Sequence, residues 1–141
     1  MAKFRPSAEL RRALSEQANG RCEYCQCPEA FSPQIFSVEH VIPQSRGGSD
    51  DTQNLAFSCQ GCNGFKSIRV DALDPATGKR TTLFHPRLHV WAEHFDWDEN
   101  GQYIIGLTPI GRVTVALLRL NRDYVVNLRK LLVLAGEHPP T

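Results

Sequence analysis

The chain has 141 residues, 41% of them hydrophobic and 22% charged, a size and balance that suit one folded domain with a real core and exclude a disordered or low-complexity protein. Sixteen Lys and Arg stand against fifteen Asp and Glu, so any nucleic-acid surface has to come from local clusters of basic side chains and not from bulk charge. No apolar run reaches the length of a membrane span, and the opening MAKFRPSAELRRAL lacks the apolar stretch and cleavage site of a signal peptide, so a cytoplasmic protein without a membrane partner is expected.

In chain order, Ser7 is placed to cap a helix, with Pro6 before it and Glu9 in its first turn. Leu10, Ala13, Leu14 and Ala18 share one face of that helix, and Asn19-Gly20 ends it. Arg11, Arg12 and Arg21 line the other side and read as solvated. Residues 21–33 form a knuckle and loop. Residues 35–42 alternate loosely around Phe36, Val38 and Val41 and read as a strand, 43–53 as a loop, and 55–58 as a second short strand. Residues 59–68 should hold a turn and a short helix, despite Gly61 and Gly64.

After Val70 the texture changes. The turn Asp74-Pro75-Ala76-Thr77-Gly78 separates two short strands at 70–73 and 81–84. Leu88, Trp91, Ala92 and Phe95 are spaced for a short helix. Residues 95–98 and 102–107 flank Asn100-Gly101, a hairpin signal. Thr108-Pro109 starts a helix with Ile110, Val113, Leu117 and Leu118 inward. Asn121 is assigned as the cap of a last helix, which presents Val125, Leu128, Leu132 and Val133 and stops at Gly136. The expectation is a single α+β domain over residues 1–141, with a core at about 21–68 and an extension of hairpin and helices at about 70–136 packed on it.

Four of the five cysteines fall in two pairs, Cys22-x-x-Cys25 and Cys59-x-x-Cys62. In a reducing compartment such pairs point to metal and not to disulfides. Two turns of this kind complete a tetrahedral thiolate shell and leave no open position, so the zinc they imply is structural. Cys27 reads as a bystander.

Between the pairs lies SVEHVIPQSRGGSDDTQNLAFSCQGCNGFKS, residues 37–67. Hydrolysis of a phosphodiester needs an activated water and positive charge beside the phosphorus. A neutral His40 can accept the proton of water near pH 7. Glu39 and Asn63 can offer oxygen ligands to Mg²⁺ or Mn²⁺. Asn54 can hydrogen-bond backbone groups across the loop and hold the strand that carries His40.

A Cys pair, then Glu39-His40 with the following Val-Ile-Pro-x-Ser-Arg-Gly-Gly-Ser, then Asn54-Leu55, then Cys59-x-x-Cys62-Asn63-x-x-Lys66, resembles the HNH endonuclease family over about residues 21–67. The resemblance implies a ββα-metal finger, two strands and a helix around a divalent ion. It implies His40 as general base, Asn54 as the scaffold Asn, Asn63 in the third motif position, and Glu39, where many members carry Asp, as first ligand of the catalytic metal. The four Cys match the zinc-bearing subset. Lys66, one turn beyond Asn63, and Arg46, in the loop after His40, are the expected phosphate contacts.

The region from Leu73 to Leu132 (LDPATGKRTTLFHPR, then WAEHFDW, GLTPIGRVTV and LNR) resembles the C-terminal extension of a bacterial HNH subgroup, which carries no assigned role. His85, His89 and His94 there read as packing or surface residues, and Trp91, Phe95 and Trp97 as core. Arg112, Arg119, Arg122, Arg129 and Lys130 recur on outer helix faces as a candidate DNA-backbone stripe.

The expected function is metal-dependent hydrolysis of DNA by a monomer or weak homodimer, with a partner protein as a possible source of targeting. The rivals are a zinc-stabilised nucleic-acid-binding module with an inactive nuclease site, and a purely structural zinc protein.

Overall fold

Residues 4–140 are described by the computed structural model, which divides into two compact units, one ending at Arg69 and one beginning at Val70. Helices and three two-stranded antiparallel sheets make an α+β fold, as the sequence pattern predicts.

In the first unit, the Ser7 hydroxyl accepts from the Leu10 amide at 3.0 Å and starts α1 (Ala8–Gln17). The left-handed conformations of Asn19 and Gly20 end it. The buried stripe is narrower than the spacing suggests: Leu14 is buried and Ala13 is exposed. Arg11 and Arg21 are not simply solvated. Arg11 donates to the Phe36 carbonyl, and Arg21 to that of Gln26 at 2.8 Å.

Strand β1 (Ser37–His40) pairs antiparallel with β2 (Leu55–Ser58), with Glu39 opposite Ala56 and His40 opposite Leu55. All four β2 residues are buried, so this strand reads as an apolar run and not as an alternation. The rings of Phe36 and Phe57 lie 5.2 Å apart beneath the sheet ends. Helix α2 (Gln60–Lys66) follows despite its two glycines, and the Cys59 sulfur caps it by accepting from the Cys62 amide at 3.4 Å.

The second unit begins with β3 (Asp71–Leu73) and β4 (Arg80–Thr82). Asp74 closes the turn between them by accepting from the Ala76 amide and the Thr77 hydroxyl, at 3.0 and 3.1 Å. Its carboxylate also takes Nε and Nη2 of Arg112, at 3.1 and 2.9 Å, and this guanidinium holds the Asp74 carboxyl down to about 2.

The helix expected around residues 88–95 shrinks to the single turn α3 (Trp91–His94). The amides of Leu88 and His89 instead close a turn on the His85 carbonyl, which leaves Leu88 exposed. Strands β5 (Phe95–Trp97) and β6 (Ile104–Gly106) flank the Asn100-Gly101 turn, where Gly101 has φ +70°. Thr108 caps α4 (Pro109–Leu117) by accepting from Gly111 at 3.1 Å. Gly111 has no alternative, since a Cβ there would lie 2.0 Å from the His94 carbonyl oxygen.

Asn121 does not cap α5 (Asp123–Leu134). Its amide is spent on β6, accepting from Ile104 N at 2.7 Å and donating to Ile104 O at 2.9 Å, so Arg122 takes the cap position, with no side-chain hydrogen bond to the first turn of the helix. Arg129 also departs from the expected exposed stripe. It is buried, donates to the carbonyls of Gln102 and Leu120 and to the Asn121 amide oxygen, and its guanidinium carbon lies 5.2 Å from the centre of the Trp97 ring. Trp91 stacks with Phe95 and with Trp97 at 5.1 and 5.3 Å, a packing role for these rings. No helix among the described residues is long and apolar enough to cross a membrane.

Candidate functional site

The two Cys pairs meet. Cys22 and Cys25 sit in the knuckle after α1, where the Cys22 amide donates to the Cys27 carbonyl at 2.8 Å and the Gln26 amide returns to the Cys22 carbonyl at 2.9 Å. Cys59 and Cys62 sit at the start of α2. Their four sulfurs lie within 4.8 Å of one another and all four residues are buried. Cys25 and Cys59 sulfurs are 3.7 Å apart, close to the ~3.8 Å edge of a tetrahedron with ~2.3 Å zinc–sulfur bonds.

Burial pushes the Cys22 and Cys62 thiols up, while hydrogen bonds, led by the one with Cys22, pull Cys25 and Cys59 down. Thiols packed this closely cannot all ionise without a cation among them. The donor set therefore suits zinc, and with four sulfurs it suits a closed, structural site. Cys27 is buried as well but stands outside this group of four, and its neighbours Cys25 and Cys59 push its thiol up. No other group of three or more His, Cys, Asp or Glu converges this way among the described residues, so His85, His89 and His94 form no such cluster.

Asn54 lies under the loop after β1 and ties it down. Its amide oxygen accepts from Ile42 N at 2.9 Å, and its amide nitrogen donates to Ile42 O at 2.9 Å and Ser49 O at 2.8 Å. The Asn54 carbonyl accepts from Val41 N at 2.9 Å. Gly48 makes room for this clamp: a Cβ there would stand 1.7 Å from Ile42 O and 2.8 Å from Asn54 Nδ2.

His40 closes β1 with its side chain 14% exposed. Its Nε2 lies 2.7 Å from Oδ1 of Asp50, which also accepts from Gln44 Nε2 at 2.8 Å. The Phe4 ring meets the imidazole edge-on at 4.8 Å. Asp50 and Gln44 were not legible as partners of His40, since a polar loop does not reveal which of its acids folds back. The only sequence signal was the Gly47-Gly48 pair that lets the loop reverse.

Asn63, on α2, faces the side of β1 that carries Ser37 and Glu39. Asn63 Nδ2 lies 3.5 Å from the Ser37 hydroxyl, two positions from Glu39 on the same face. The Glu39 and Asn63 oxygens are of the type a hard divalent ion takes. Glu39 is buried, however, and already engaged: it accepts from the Tyr24 hydroxyl and lies 3.5 Å from Lys66 Nζ. Burial raises its carboxyl above the usual range, with the Lys66 ammonium and the Tyr24 hydroxyl pulling the other way.

Lys66 is therefore not an exposed phosphate contact. It is fully buried, donates to the Val41 carbonyl at 2.7 Å and the His40 carbonyl at 3.4 Å, and faces Glu39. The helix turn that places it beside Asn63 points it inward under β1. Arg46 is exposed, with Nε donating to the Ile68 carbonyl at 2.8 Å.

The Lys66–Glu39 pair sets a stability test. Removing one partner of a buried pair strands the other, at a cost of about 3–5 kcal/mol. Lys66→Met should cost that much in denaturant unfolding of the zinc-loaded protein, and Lys66→Met with Glu39→Gln clearly less. A single variant as stable as wild type would show that the pair is immaterial.

Residues 22–68 match the family model described as HNH endonuclease. The chain is also similar to the Septu protein PtuB of Bacillus thuringiensis, 29% identical over 126 residues, an alignment covering 87% of this chain and 46% of that protein. To the Septu protein PtuA of Bacillus mycoides (strain KBAB4) it is 26% identical over 143 residues, covering 85% of this chain and 20% of that one. The chain spans less than half the length of either relative. Both alignments run past residue 68, so the likeness takes in the second unit as well.

Proposed function

We propose, from the premise that residues 22–68 are an HNH domain, that this chain is a nuclease that hydrolyses phosphodiester bonds of DNA, with His40 as its general base. The observation that carries the reading is the loop locked by Asn54, which holds a partly exposed imidazole at the end of β1, in a unit that also carries a zinc-type clamp of four sulfurs. His40 takes the proton of the attacking water. Asn54 keeps the strand end and loop in register. Arg46, exposed after the base, offers its guanidinium to a flanking phosphate.

Glu39 and Asn63 are the residues that would hold a Mg²⁺ or Mn²⁺ ion. Such an ion, when bound, supplies positive charge that offsets the charge building on the phosphate. For Glu39 to serve, Lys66 has to yield its place at the carboxylate. A cytoplasmic site of action, a monomer or weak homodimer, and targeting by a partner protein belong to the same proposal. The partner is suggested by likeness to two differently named Septu proteins, each longer than this chain.

A second reading has an observation in its favour. With Glu39 held by Tyr24 and Lys66, the domain suits a zinc-stabilised module that binds nucleic acid and leaves it intact. Incubating supercoiled plasmid with the zinc-loaded protein separates the two. Nicked circles that appear on adding Mn²⁺ or Mg²⁺ support the nuclease. Plasmid binding with no nicking in either metal supports the module.

A further inference from the structure

The loop that Asn54 locks carries an acid, Asp50, that no motif claims. Asp50 follows Ser49, whose carbonyl is one of the three groups that Asn54 bonds. The clamp thus fixes the backbone one residue away from the carboxylate, and Gln44 fixes the carboxylate itself at 2.8 Å. The same oxygen meets His40 Nε2 at 2.7 Å. An ionised carboxylate only accepts, so Nε2 must carry the proton in this bond. A neutral imidazole protonated at Nε2 has its lone pair at Nδ1. The Phe4 ring on the imidazole edge limits its rotation from another direction.

We propose that Asp50 is the positioning residue of His40: it orients the ring, selects the Nε2–H tautomer, and leaves Nδ1 as the nitrogen that receives the proton of water. Gln44 and Asn54 act through it, one on the carboxylate and one on the loop. The catalytic consequence rests on the nuclease reading above; the tautomer assignment does not. A carboxylate behind a working histidine fixes which nitrogen is basic, and losing such a partner typically costs about ten- to a hundredfold in activity. A lower figure than for a buried triad suits Asp50, whose side chain is 56% exposed.

Two measurements on the full zinc-loaded chain decide it. Long-range ¹H–¹⁵N correlation of the five histidines reports the tautomer without DNA. The expected result is Nε2–H at His40 in wild type and a mixture of tautomers in Asp50→Ala, with zinc content and circular dichroism unchanged. Plasmid nicking should then show a kcat about ten- to a hundredfold lower in Asp50→Ala with KM little changed, and partial recovery in Asp50→Asn, which keeps an acceptor. An Nδ1–H tautomer in wild type, an unshifted tautomer in Asp50→Ala, or wild-type kcat in that variant would each overturn the proposal. Absence of nicking by wild type would defeat the nuclease reading and leave the tautomer result to judge Asp50.

Discussion

A Cys62→Ser variant is expected to retain no zinc at stoichiometric level and to lose the fold of the first unit. Two short strands, one ten-residue helix, one seven-residue helix and three single 3-10 turns make up its regular structure. Three of the four clustered cysteines are fully buried and the fourth, Cys59, nearly so. Structural zinc contributes about 10–16 kcal/mol of apparent binding free energy near neutral pH, comparable to the ~5–15 kcal/mol that holds a whole domain together. Serine is a poorer ligand than thiolate, and it also removes the sulfur that packs at the start of α2. Metal analysis of the wild type should return one zinc per chain. The variant should show exchange of the β2 amides that is fast against protection in wild type. A metal-free variant with wild-type protection would sink the clamp.

His40→Ala is expected to lower metal-dependent nicking by about 10²–10⁴-fold, the usual contribution of a general base, while zinc content and melting temperature stay near wild type. The fold should survive because the His40 side chain meets only Asp50 and Phe4 among the contacts described above, and the β1–β2 pairing runs through its backbone. The His40 carbonyl, which Lys66 reaches, is unaffected by the change. Nicking at the wild-type rate would remove His40 from the reaction.

Much of the first unit was legible because local chemistry and spacing agree. Ser7 before α1, the apolar run of β2 and the paired Cys each report a constraint that acts within a few residues. The same spacing brought the four sulfurs together. Inward or outward facing was harder to read. Lys66 shares a helix face with Asn63, but that face turns toward the carbonyls of His40 and Val41, so a lysine assigned to DNA lies inside. Tyr24 was silent between Cys22 and Cys25, and its value as the partner of Glu39 arises only when the knuckle folds against β1. Asn121 and Arg129 mislead for a related reason. Asn121 has the chemistry of a cap and is claimed first by the backbone of Ile104, and Arg129 falls at a position where its charge could have faced solvent but finds carbonyl oxygens inside.

The internal engagement of Lys66, Arg112 and Arg129 bears on how the chain meets a polyanion. Affinity for nucleic acid rises with the number of condensed cations that the protein sets free from the phosphates, and a side chain that is buried or already neutralised by a carboxylate sets none free. Lys66 is spent on β1 and Glu39, Arg112 on Asp74, and Arg129 on three acceptors. The logarithmic salt dependence of DNA binding should therefore be shallower than the count of basic residues implies. Arg46→Ala should reduce that slope by about one, while Arg112→Ala should leave it unchanged, as read from binding isotherms across a series of salt concentrations.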